Sequence, residues 1–71
     1  MTPKQFDALA KLLRSRDPSR EAARLVLVEG MARKDAAERT QLAGPSVSGV
    51  VKRFREADAM MRDAYKSELP A

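Results

Sequence analysis

Ser48, Lys52 and Arg53 share one stretch of the chain, LAGPSVSGVVKRF from Leu42 to Phe54, with Gly44 and Gly49 set among them. A hydroxyl and two cations at this spacing can donate hydrogen bonds and neutralise anions. A serine becomes a nucleophile only beside an activating base, and the chain has neither His nor Cys. Their absence removes the commonest general base and metal ligand, the thiolate and any disulfide. Asp and Glu residues are present, but no glycine-rich phosphate loop accompanies them. An enzyme is therefore the least favoured class, and no metal, cofactor or small-molecule ligand is expected. The chemistry on offer is recognition.

The charge balance says what kind. Fourteen Lys and Arg against ten Asp and Glu leave +4 on 71 residues, with a pI near 10.0. Two copies would carry twice +4, or +8, a field that favours polyanions, nucleic acid before an anionic membrane. Charge kept for solubility explains the balance equally well, so placement has to decide. No apolar run approaches the roughly 20 residues that span a bilayer, and the N-terminus lacks an apolar signal core. With no cysteine, the composition fits a cytoplasmic location.

Hydrophobic residues at 44% and charged residues at 34% are a globular balance. The length predicts a single domain over residues 1–71, near the lower limit for burying a core unaided. Phe6, Phe54 and Tyr65 are the aromatics, so the core must come from Val, Leu, Ala and Met. A thin core of that kind often gains stability by dimerising.

The elements read as all-α, a small domain of four to five helices with a long last one. Thr2-Pro3-Lys4-Gln5 is a capping-box start, and Phe6, Leu9, Ala10 and Leu13 repeat at helical spacing to about Arg14. Asp17-Pro18 repeats the cap-then-proline device for a second helix with Ala22, Ala23, Val26 and Leu27 on its apolar side. Gly30 is its left-handed stop. A third helix covers about Arg33 to Arg39, and the chain turns over Thr40 to Ala43. Gly44 as N-cap and Pro45 at N1 begin the last helix. Its stripe of Val47, Val50, Phe54, Ala57, Met61 and Ala64, with Val51, Met60 and Tyr65 alongside, alternates spacings of three and four. Running to Glu68, it would measure about 36 Å. Short helices cannot cover that length, so its distal part, about residues 55–69, is expected to pair with its own copy through Ala57, Met60, Met61, Ala64, Tyr65 and Leu69.

Residues 33–52, RKDAAERTQLAGPSVSGVVK, then read as one helix-turn-helix unit. Ala37 is the small residue under the crossing; Leu42, Val47 and Val50 fall five, ten and thirteen residues later, where apolar side chains hold the second helix. Glycine is the favoured residue where Gln41 stands, because the backbone there commonly takes positive φ. Thr40 replaces a larger apolar residue. Such a unit lays the start of its second helix in the major groove of double-stranded DNA. The candidate contacts are Arg33, Lys34, Gln41, Gly44, Pro45, Ser46, Ser48, Gly49, Lys52 and Arg53. Small residues let the backbone approach base edges and phosphates, Ser48 can hydrogen-bond, and Lys52 and Arg53 can meet phosphate or guanine.

Blander readings stand beside these. Gly49 costs roughly 1 kcal/mol inside a helix, and close packing on another helix explains it as well as DNA does. Arg55 fits a solvated face, and Arg20 and Arg24 read as surface residues. A helical protein–protein module, an adaptor or inhibitor using Met60, Met61, Tyr65 and Leu69, is the alternative function.

FDALAKLL, EAARLVLVEG and LAGPSVSGVVKRF together resemble the N-terminal part of the TrfB/KorA-type plasmid transcriptional repressors, in register from Phe6 to Phe54. The most specific part is Ala23-Arg24, Val26-Leu27-Val28 and Gly30. The resemblance implies a repressor that binds palindromic operators as a homodimer, often regulating its own operon, in a plasmid or phage setting. The family reads bases with an Arg and a Gln at positions that are Gly44 and Gly49 here, so a different operator follows, with Ser48, Lys52 and Arg53 bearing more of the contact. The family's C-terminal dimerisation region is expected to have no counterpart in the sequence to Ala71, with the extended last helix as its replacement.

Overall fold

The computed structural model describes the backbone of residues 1–68 and the side chains of residues 1–64. Four helices follow one another: α1 Pro3–Leu12, α2 Ser19–Leu27, α3 Arg33–Thr40 and α4 Gly44–Glu68. The class is all-α as expected, with four helices and a long C-terminal one.

α1 starts as its sequence requires. The Gln5 N–H donates to Thr2 Oγ1 at 3.2 Å and the Thr2 N–H donates to Gln5 Oε1 at 3.0 Å. Two N–H groups that a first turn leaves open are thereby satisfied. The helix stops at Leu12, short of the expected Arg14. Arg14 takes φ +52°, and the N–H groups of Arg14 and Ser15 turn back to the carbonyls of Lys11 at 3.2 Å and Ala10 at 2.9 Å. That closure is the Schellman motif, which needs a left-handed residue at its centre.

The start of α2 corrects the expectation at Asp17. Pro18 is the N-cap and makes no side-chain cap bond, and the Asp17–Pro18 peptide is cis. The Asp17 carboxylate instead lies 3.4 Å from Arg20 Nε, so it is engaged by a guanidinium and not by a backbone N–H. At the far end Gly30 has φ +73° and the Met31 N–H reaches the Leu25 carbonyl at 2.9 Å. The expected glycine stop is in place.

The core forms two clusters on the two flanks of α2. Phe6, Leu9, Ala10, Ala23, Val50 and Phe54 make the first; Ala22, Leu25, Ala36, Val47 and Val51 make the second. Neighbouring alanines at 22 and 23 have no bulk to hold helices away, so α1 and α3 close in on opposite flanks while α4 contributes to both. The Phe6 and Phe54 rings stack 4.8 Å apart at 8°, inside the range of favourable aromatic pairs. Val26 and Leu27, expected on the apolar side, are half-buried, and Leu25 is the fully buried one. The run LVLV has no periodicity that would choose among them; the position of α3 does.

Packing along α4 ends at Ala57, which is half-buried against the first cluster. Beyond it Met60 and Met61 are 72% and 47% exposed, and Ala64 is exposed. Asp58 and Arg62, one turn apart, pair at 3.1 Å. Leu69 and the side chain of Tyr65, both expected at a dimer seam, lie outside the described residues.

Candidate nucleic-acid interface

α3 closes as α1 does. Gln41 takes φ +59° and ψ 28°, with its N–H on the Glu38 carbonyl at 3.3 Å and the Leu42 N–H on the Ala37 carbonyl at 3.1 Å. The position where glycine is favoured is left-handed, as expected, with glutamine in it. Thr40 Oγ1 donates to the Ala36 carbonyl at 2.7 Å, so this hydroxyl in an apolar slot is satisfied locally. Ala37 and Leu42 pack on the second cluster beside Val47. Val50 does not; it faces the first cluster, and Val51 takes the place against α3 that was expected of Val50.

α4 begins one residue early. The Ala43 carbonyl accepts from the Ser46 N–H at 3.0 Å and the Val47 N–H at 3.2 Å, so Ala43 is the cap, Gly44 the first helical residue and Pro45 the second. Proline bars αR from the residue before it through a clash that involves Cβ. Glycine has no Cβ and escapes it, and a proline N–H is not missed in a first turn.

With Val47, Val50, Val51 and Phe54 inward, a rotation of about 100° per residue points Pro45, Gly49, Lys52 and Glu56 most directly outward. Gly44, Pro45, Ser46, Gly49, Lys52 and Arg53 are exposed and Ser48 is half-buried. A groove runs along each side of this ridge. On the α3 side, 620 Å³ is bounded by Arg33, Lys34, Gln41, Gly44 and Ser48. It is extended by 390 Å³ between Arg33, Ser48, Lys52 and Arg55, with Glu56 at its edge. On the other side, 720 Å³ separates the α1–α2 corner from Ser46, Gly49 and Arg53.

The donors along these grooves are uncommitted. Among the described residues, Arg33, Lys34, Gln41, Ser46, Ser48 and Arg53 make no side-chain hydrogen bond or ion pair. Lys52 approaches Glu56 at 3.9 Å with both side chains mostly in solvent, a pairing worth well under about 1 kcal/mol. Arg24 contrasts with them. Its Nε donates to Glu21 Oε2 at 3.0 Å and its Nη1 to Glu29 Oε1 at 3.0 Å. The Arg24 hydrogen bond holds the Glu21 carboxyl below the usual carboxylate range, and the two carboxylates raise the Arg24 guanidinium further. Arg24 is thus tied to its own helix and the loop after it.

Gly49 is the informative position. A Cβ built there would meet no atom within 4 Å, and the same holds for Gly44. Packing within the protomer therefore does not account for a glycine in the middle of α4. Sequence reasoning set aside Arg55, which lines the α3-side groove, and missed Arg14 and Arg16, which line the groove on the other side. The signal was the run KLLRSRDPSR, with four cations and one acid between Lys11 and Arg20.

Among the described residues, no group of three or more acidic, His or Cys side chains could hold a metal ion. Among the same described residues, no helix is long and apolar enough to cross a membrane. A short helix, a three-residue turn and a longer helix whose exposed start carries unpaired donors have the layout of a helix-turn-helix unit. The chain belongs to the TrfB plasmid transcriptional repressor family, whose model matches residues 1–66, beyond the Phe6–Phe54 stretch on which the resemblance rested. It is a family of transcriptional repressors, with DNA-binding repression as its activity, and not of enzymes. No curated protein and no solved structure matches the chain.

Proposed function

We propose that this protein represses transcription by laying the first half of α4 in the major groove of a palindromic operator, as a homodimer, in the regulation of its own operon. Gly49 carries the reading. A mid-helix glycine costs roughly 1 kcal/mol against alanine, nothing in the protomer occupies the space it leaves, and uncommitted Ser48 and Arg53 flank it. A backbone kept bare on a basic ridge fits a surface that comes within contact distance of a polyanion. In this reading Ser48 and Gln41 hydrogen-bond base edges or backbone, and Arg33, Lys34, Lys52 and Arg53 neutralise phosphates.

Exposed Met60 and Met61 on the uncovered part of α4 support self-association through that segment. Ala57 is half-spent on the protomer's own core, which moves the weight of the seam toward Met61 and Ala64. Two protomers then present their ridges to successive major grooves, with half-site centres about 34–36 Å apart. The setting is the cytoplasm of a plasmid- or phage-bearing prokaryote, with the protein on the nucleoid when bound.

Footprinting on the DNA that flanks the gene, at two salt concentrations, tests this. Protection of a two-fold symmetric site that fades at higher salt is the expected result. No protection at either concentration would leave the exposed methionines to serve a different protein partner, as in an adaptor or inhibitor.

A further inference from the structure

We infer that the corner between α1 and α2, Arg14-Ser15-Arg16, is a second phosphate-binding arm, which grips the DNA strand on the side of α4 away from α3. The inference rests on the reading of α4 given above and adds a contact surface outside the helix-turn-helix unit.

Three observations carry it. The 720 Å³ groove has Arg14, Ser15 and Arg16 on one wall and Ser46, Gly49 and Arg53 on the other, so the corner faces the same exposed residues that would meet DNA. Among the described residues, none of these three arginines has an ion pair. The acid at hand, Asp17, has its carboxylate 3.4 Å from Arg20. Past the corner, Lys11 and Arg20 join Arg14 and Arg16, with Asp7 as the one acid, around a further hollow of 460 Å³.

The backbone supplies the third observation. α1, α2 and α3 all close through a left-handed residue, where glycine is strongly favoured. α2 uses Gly30, which lines neither groove beside α4. α1 and α3 use Arg14 at φ +52° and Gln41 at φ +59°, and each of these lines one of the two grooves. Non-glycine residues held in the left-handed region are enriched at functional sites. A helix about 10–12 Å across fills a major groove about 12 Å wide, leaving a phosphate strand along each flank. Arg33 and Lys34 stand on one flank; Arg14, Arg16 and Arg53 stand on the other.

Arg14→Gly separates the fold from the contact, because it relaxes the backbone while deleting the charge. The probe is a labelled duplex of mixed sequence, about 30 base pairs, titrated by fluorescence anisotropy from about 50 to 200 mM salt, with thermal melts in parallel. Arg14→Gly should melt at or above the wild-type temperature, yet bind several-fold more weakly and lose about 0.9 per protomer from the slope of log K against log salt. Arg16→Ala should lower the slope similarly, and Arg14→Lys should retain most of it. If the wild type binds, Lys52→Ala weakens it, and Arg14→Gly and Arg16→Ala change neither affinity nor slope, the arm is refuted while the reading of α4 stands. If the wild type does not bind the duplex at low salt, both fall.

Discussion

Replacing Gly49 by alanine should make the protein more stable and a worse DNA binder. The stability gain follows from what is absent around it. With no atom within 4 Å of the added Cβ, the substitution opens no cavity and meets no clash, leaving the difference in helix propensity, about 1 kcal/mol. Unfolding entropy near 2.1 cal/mol/K per residue gives about 0.15 kcal/mol/K for a chain this long, so Tm should rise by about 6–7 °C. Circular dichroism melts at one fixed protein concentration would read it, since self-association makes Tm depend on concentration. On DNA the same methyl occupies the space a base edge or phosphate would take. Loss of one close contact pair, about 1–3 kcal/mol, is a fall of about 5- to 150-fold in affinity. A variant that melts higher and binds as tightly as wild type would refute the claim that Gly49 is kept for close approach. One that melts lower would refute the open environment assigned to it.

Lys52→Ala should weaken binding to all sequences alike and lower the salt slope by about 1 per protomer, read by titration at several salt concentrations; unchanged affinity would take Lys52 out of the interface. Met61→Asp should leave a folded monomer, and persistent dimers in light scattering would exclude the seam. Glu21 has its pKa held below 4.5 by Arg24, so the pair stabilises the fold above pH about 4.5 and this contribution disappears as pH falls through the depressed value. The groups are more than a third exposed, so solvent screening keeps the effect small. Arg24→Gln should therefore melt lower than wild type at pH 7, with a gap that narrows as pH falls below the ordinary carboxylate range, and a gap that stays constant into strong acid would contradict the ion pair.

Much of the fold was legible because local rules act alone at several places. The Thr2–Gln5 capping box, the stop at Gly30 and the left-handed position at Gln41 each need only a few neighbouring residues. What was misread depended on partners distant in sequence. Leu25, and not Val26 or Leu27, is fully buried because α3 packs against that flank of α2. Val50 and Val51 exchange roles because α1 and α3 approach α4 from different sides. Asp17 loses its capping role to Arg20, a competition between a backbone N–H and a guanidinium that spacing does not resolve. The candidate site divided in the same way. The ridge from Gly44 to Arg53 follows from helix periodicity, whereas Arg14 and Arg16 reach its flank only through a corner 28 to 30 residues upstream of Gly44.

From Phe54 to Glu68, α4 contains neither glycine nor proline, so nothing in it acts as a joint between its two halves. Length and bearing are geared together in such a shaft. Inserting one residue near Ala59 would push the methionines about 1.5 Å outward and swing them about 100° around the axis. An insertion of seven residues would bring them back to within about 20° of their original heading, about 10 Å farther out. In the proposed dimer, the distance between two coupled reading heads could therefore be adjusted only in coarse increments.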